Sequence, residues 1–164
     1  MKRLLSALLV LAALFAFCAC GQAEAEPKTF TKENMAITLT DAFKEASVDG
    51  YTVGYESKKV AVIALREAFS LMQGFESWTL DQYAEVIHAN AAANSPTQIS
   101  HSDGLTSFEY SFFNADEDQT YTYFVAMYKC SDAFWTISFA SIESDYEGYR
   151  ASFVEWAKSV AFAN

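Results

Sequence analysis

The 164-residue sequence predicts an α+β domain, a three-layer α/β/α sandwich around a mainly antiparallel sheet. Three observations carry that expectation. Apolar runs of strand length fall into two groups, and each group is followed by one helical pattern. The turns inside the second group are short enough only for an antiparallel meander. Several runs are apolar at consecutive positions, as strands covered on both faces are, so a layer is expected on each side of the sheet.

Before the domain comes a leader. Lys2 and Arg3 precede an almost unbroken apolar run from Leu4 to Phe17. The run is shorter than the roughly 20 residues of a spanning helix and fits the hydrophobic region of a secretory signal. In "FCACG", a cut before Cys20 leaves small Ala19 at the cleaved end, whereas a cut before Cys18 leaves bulky Phe17 there. "FCAC" therefore resembles the lipobox of bacterial lipoproteins, with Cys20 as the lipidated residue. An ordinary secretory signal cut near "AEAE" is the competing reading. A thiolate is nucleophilic enough to take a diacylglyceryl thioether, and each buried methylene contributes about 0.8 kcal/mol, so two or more chains anchor stably. The expected organisation is a signal peptide over 1–19, a lipidated tether over 20–28 and one domain over 29–164. Such a protein sits on the cell membrane, lipid-anchored and extracytoplasmic. Pro27 and the absence of apolar period mark the tether as a flexible stalk.

"MAITL", Met35 to Leu39, alternates as a half-buried strand does. "YTVGYES" and "VAVIALREAF" follow, joined through Lys58 and Lys59 in a hairpin pattern, and the second reads as covered on both faces. Thr79 and Gln82 then form a capping box, with Trp78 and Tyr83 at staple spacing. Leu80, Tyr83, Ala84, Ile87 and Ala91 make one helical face, which Asn94, Ser95 and Pro96 end. "LTSFEYSFF" puts Phe108, Tyr110 and Phe112 on one face and Ser107, Glu109 and Ser111 on the other. "NADEDQ" turns into "TYTYFVAMYK", apolar on both faces, and "SDA" turns into "FWTISFASI". Ser144 and Glu147 read as a second capping box, opening a helix whose stripe is Tyr146, Tyr149, Phe153, Trp156 and Val160. Burying each of these is worth roughly 1.5–3 kcal/mol gross, so this helix is expected to clamp the sheet.

Charge excludes some functions. The chain carries a formal net charge of −10, and its leader holds two basic and no acidic residues, so without it the balance is more acidic still. Such a chain repels nucleic acid and anionic headgroups and is compatible with basic partners. With Cys20 acylated, Cys130 has no disulfide partner and reads as a strand-end structural thiol.

Taken together, "ITLTDAF", "SWTLDQYAE", "FEYSFF…YTYFVAMYKCSDAFWTISF" and "YEGYRASFVEWAKSVAF" resemble the PsbP-like family over about Thr29 to Phe162. That family includes the extrinsic photosystem II protein, a Ran-binding nuclear import factor and many small bacterial lipoproteins. The resemblance implies the same α+β fold and non-enzymatic binding or assembly roles that differ between members. Its motifs are structural, so it implies no functional residue here.

The domain holds no G-x-S-x-G, P-loop, H-E-x-x-H or C-x-x-C. His88 and His101 lack companions at metal-ligand spacing, and "DED" lacks the Gly and distant Glu of a calcium loop. No catalytic residue, metal or cofactor is expected. The expected function is a membrane-anchored binding or assembly module for a protein or cell-envelope component. A structural envelope protein without a ligand and an unrecognised enzyme are the alternatives. The connections "DAFKEASVDG", "SLMQGFES" and "NADEDQ" are the expected contact segments, because loops carry specialised residues that the scaffold stabilises. Phe69, Leu71, Met72 and Phe75 are the candidate partner-binding residues: they either fold back onto the core or form an exposed apolar patch.

Overall fold

The computed structural model describes residues 25–71 and 74–163. The leader, Cys20 and Met72 lie outside the described residues. The chain runs β1 (Pro27–Lys32), β2 (Met35–Thr40), β3 (Lys44–Ala46), β4 (Val53–Glu56), β5 (Val60–Ala68), α1 (Leu80–Asn90), β6 (Ser100–Ser102), β7 (Leu105–Asn114), β8 (Gln119–Lys129), β9 (Ala133–Ile142), α2 (Glu143–Lys158) and β10 (Ala161–Phe162). A seven-stranded antiparallel sheet is ordered β3-β4-β5-β9-β8-β7-β6, and a three-stranded one β1-β2-β10. The β5–β9–β8–β7 heart of the large sheet is the expected hairpin and meander, assembled so that the first hairpin pairs with the last strand. Strand β1 begins at Pro27, inside the segment read as stalk.

Period 2 sorts each strand's side chains to two faces. One face carries Val60, Val62, Ala64, Trp135, Ile137 and Phe139, all buried under α2 and the small sheet. Tyr146, Phe153 and Ala157 of α2 enter this layer, as do Met35, Ile37 and Leu39 of β2. Ser159 fastens the end of α2 to β2: its Oγ accepts from the Thr38 N–H at 2.9 Å. The opposite face carries a second core, in which Tyr83 and Ala84 of α1 meet Phe108, Val125, Met127 and Phe134. A sheet with helices on both faces is the expected three-layer arrangement.

Two local expectations are corrected. Thr79 and Gln82 do form their capping box on α1, but Ser144 and Glu147 do not form one on α2. Strand β9 runs directly into that helix, Ile142 takes the cap position, and no side chain caps the turn. Glu143 and Asp145 instead place negative charge at the positive end of the helix dipole. Strand β5 is also not covered on both faces. Ala61 is exposed and Ile63 only half-buried, alternating with buried Val60, Val62 and Ala64.

Candidate functional site

The length of α1 explains the open face of β5. Eleven residues of helix span about 16 Å at 1.5 Å each. The ten-residue strands β7 and β9 run about 33 Å. Helix α1 therefore covers one half of its face and leaves the half beside the β7–β8 turn bare.

The bare half is a trough of about 830 Å³. Its floor is apolar and aromatic: Ala61 and Ile63 of β5, Ala140 of β9, Tyr121 and Tyr123 of β8, and Phe112 of β7. These are the same-face residues of four paired strands, since Ile63 opposes Ser138, Tyr123 opposes Ala140, and Phe112 opposes Tyr121. Toward α1 the floor continues into a recess of about 240 Å³ beneath Ile87, Ala91 and Tyr51. Tyr110 of this recess stacks on Tyr123 of the trough, with ring centroids 4.8 Å apart and planes 5° from parallel.

The rim is polar. Glu56, Lys58 and Asn114 stand on it, with Lys59 paired to Asp145 at 3.1 Å. Glu117 accepts a hydrogen bond from the Tyr121 hydroxyl. Val48 folds in from the β3–β4 connection, where it lies over Gly54. A Cβ built on that glycine would come within 2.6 Å of the Val48 Cγ2, so a larger residue there requires Val48 to move. Burial first, then the neighbouring Tyr123 and Tyr51, push the Tyr110 phenol up to about 12. Burial, Tyr51 and Glu117 raise Tyr123 as well. Both are neutral hydroxyls at physiological pH, offering ring faces and hydrogen bonds but no reactive anion.

Two of the three expected contact segments reach this trough: "DAFKEASVDG" through Val48 and "NADEDQ" through Asn114 and Glu117. The third stands at the opposite end of the sheet, where the Phe69 N–H donates to the Asp132 carbonyl. Phe69 and Phe75 fold back onto the α1-side core. The Phe69 ring meets Phe134 at 5.2 Å, and Phe75 stacks on Trp78 at 4.2 Å. Both are half-buried and pack against that core, the first of the two arrangements expected for them. Leu71 is 83% exposed, and Met72 lies outside the described residues. Sequence reasoning missed Tyr51, Phe112, Tyr121 and Tyr123, whose periodic spacing is the same for an aromatic in a core and an aromatic on a bare face.

The cysteine and histidine contacts lie outside the trough. The Cys130 thiol donates to Asp132 at 3.3 Å and to the Ala133 carbonyl at 3.4 Å. Asn34 and Arg66 also donate to Asp132, at 3.2 and 2.6 Å. This ties the β1–β2 turn to the β8–β9 turn, and the Cys130 bond is the leading cause holding the Asp132 carboxyl below its ordinary range. His88 bonds the Thr97 carbonyl at 2.8 Å, and His101 lies 3.8 Å from Asp81. Neither histidine is among the side chains lining the trough.

No family model matches the chain, and no curated protein does either. Its likeness is to solved structures. Cyanobacterial PsbP (CyanoP) from Synechocystis sp. PCC 6803 superposes with a TM-score of 0.56 at 10% identity, over 90% of this chain and 99% of that one. A structure from Bacteroides thetaiotaomicron VPI-5482 aligns with a TM-score of 0.47 at 13% identity, over 79% of this chain and 45% of that one. The chain has the PsbP-like fold, as its sequence pattern implied.

Proposed function

We propose that this PsbP-fold chain is a membrane-anchored, extracytoplasmic lipoprotein. It acts as a non-enzymatic module that binds a partner protein through the bare half of its sheet. The observation that carries the binding role is the aromatic trough. A short helix leaves ring faces of Phe112, Tyr121 and Tyr123 in a concave surface with a polar rim. Concave, mostly apolar sites with a few polar groups are where ligands bind, and aromatic side chains carry much of the energy of interfaces. The leader and Cys20 support the anchor. Tethering holds the trough near the membrane and raises its effective concentration for partners there.

A photoreactive residue placed at Phe112 in the full chain, in its native cells, tests the reading. Crosslinks are expected at Phe112 and absent from a control at Val86, exposed on the outer side of α1. The Cys20→Ala chain should accumulate as unprocessed precursor and lose the Phe112 crosslink. Equal crosslinking at both positions, or none at Phe112, counts against a binding trough. A wild-type mature N-terminus beyond Gln22 without lipid counts against the anchor.

A further inference from the structure

Strand β7 has an open edge. Strand β6 pairs with it only from Leu105 to Ser107. Thr97 extends the cover to Glu109, whose backbone carbonyl accepts from the Thr97 N–H at 2.8 Å and whose N–H donates to the Thr97 Oγ1 at 2.9 Å. The backbone of Glu109 thus points away from β8. With a period of two, Ser111 and Phe113 point their N–H and C=O groups the same way. Among the described residues no further backbone bond reaches either from that side. The edge is also apolar: Phe112 and Phe113 are 44% and 56% exposed. Folded proteins ordinarily blunt such an edge with charge, proline or a cover.

The edge opens into a cleft of about 510 Å³ lined by Glu109, Tyr110, Ser111, Glu143 and Glu147, with Asn94 and Thr97 at the end where β6 gives out. The cleft lining contains acidic but no basic side chains. Glu109 is already paired with Arg150 at 2.8 Å, which leaves Glu143 and Glu147 beside the edge. Asp116, Glu117 and Asp118 stand at the adjoining β7–β8 turn. The other side of the edge is the aromatic trough.

We infer that the Ser111–Asn114 edge of β7 takes an extended segment of the partner protein as an added strand, and that this segment alternates apolar residues with Lys or Arg. Side chains of an added strand alternate between the sheet's two faces. Apolar ones fall over Phe112 and Tyr121 in the trough, and basic ones fall toward Glu143 and Glu147. A second copy of this chain is disfavoured as occupant, because it brings another acidic turn to an acidic edge. The inference rests on the reading of the trough as the binding surface and adds the mode and the partner's pattern.

The test uses the full chain in detergent and three synthetic peptides: one alternating Lys and Val, one alternating Glu and Val, and one with the same Lys and Val in two blocks. The alternating basic peptide should bind at least about tenfold more tightly than either of the others, a discrimination worth about one charge-assisted hydrogen bond. It should protect the Ser111 and Phe113 amides from hydrogen exchange in the wild type. Ser111→Pro removes an outward N–H, which an edge strand tolerates, and should weaken binding by about tenfold. Glu143→Lys with Glu147→Lys should abolish the preference for the basic peptide. Binding without amide protection at Ser111 and Phe113 overturns strand addition while leaving the trough reading in place. Equal binding of all three peptides, or binding of none, overturns the inference. The Phe112 crosslink decides the trough reading separately.

Discussion

Replacing Phe153 with alanine tests whether α2 clamps the sheet. Phe153 is fully buried at the centre of the helix's inward stripe. Its ring lies 5.7 to 6.0 Å from those of Tyr146, Phe139, Trp156 and Tyr149. Removing a buried phenylalanine typically costs about 3–5 kcal/mol, transfer and cavity together. Four surrounding rings cannot collapse into the space without leaving their own contacts, which places this site toward the upper part of that range. A domain holds only about 5–15 kcal/mol in total, so Phe153→Ala should lower the melting temperature by about 10–20 °C. The urea midpoint should fall without a change of slope. Thermal melts followed by circular dichroism read the first and a urea titration the second. Val86→Ala, on an exposed position of α1, should change either by no more than about 0.5 kcal/mol. A melting temperature for Phe153→Ala equal to that of Val86→Ala would refute the clamp and mean that the stripe is not packed on the sheet.

Other outcomes follow from the same geometry. Thr79→Ala removes the formed capping box and should cost about 1 kcal/mol, while Ser144→Ala, whose side chain caps nothing, should cost less than half of that by the same melt. Gly54→Ala drives a methyl into Val48 and should shift the Val48 resonances and the trough beside it, detected by methyl NMR; unchanged Val48 signals would contradict the close approach. Tyr83→Phe leaves Glu67 and Thr136 without the hydroxyl they share and should cost about 1–3 kcal/mol. The alkaline limb carries its own sign. Tyr55 and Tyr110 are each raised from 10.0 to about 12, so the folded state disfavours their ionisation. Their contribution to stability is complete below pH 10 and lost as pH rises from 10 to 12. Ultraviolet titration should show part of the phenolate signal delayed to that window and coincident with unfolding; full ionisation near pH 10 in the folded state would contradict it.

Much of the fold was legible because its signals are local. Thr79 and Gln82 announce α1 through hydrogen bonds made within one turn, and Phe108, Tyr110 and Phe112 announce β7 through alternation. The Ser144–Glu147 pattern misled because it is equally local, while a strand running straight into a helix is set by how β9 ends against the sheet. The trough was illegible for a related reason. Alternation tells which face a residue takes but not how far a helix on that face extends, so Phe108 is buried under α1 while Phe112, four residues on, is bare. The apolar residues Phe69 and Phe75 lacked period because they sit in single 3₁₀ turns that tuck rings under Trp78 and onto Phe134, a tertiary arrangement with no sequence period. Polar character in "NADEDQ" made the β7–β8 turn legible, since a turn rich in carboxylates and amide must stand in solvent.

Hydroxyl-radical footprinting of the full chain in its native cells, compared with the purified chain, tests most directly whether the bare half of the sheet is the binding surface. The account predicts that Phe112, Tyr121 and Tyr123 lose reactivity in the cells while Leu71 and Val86 keep theirs. Unchanged reactivity at all three aromatics, or protection of Leu71 in their place, would contradict it.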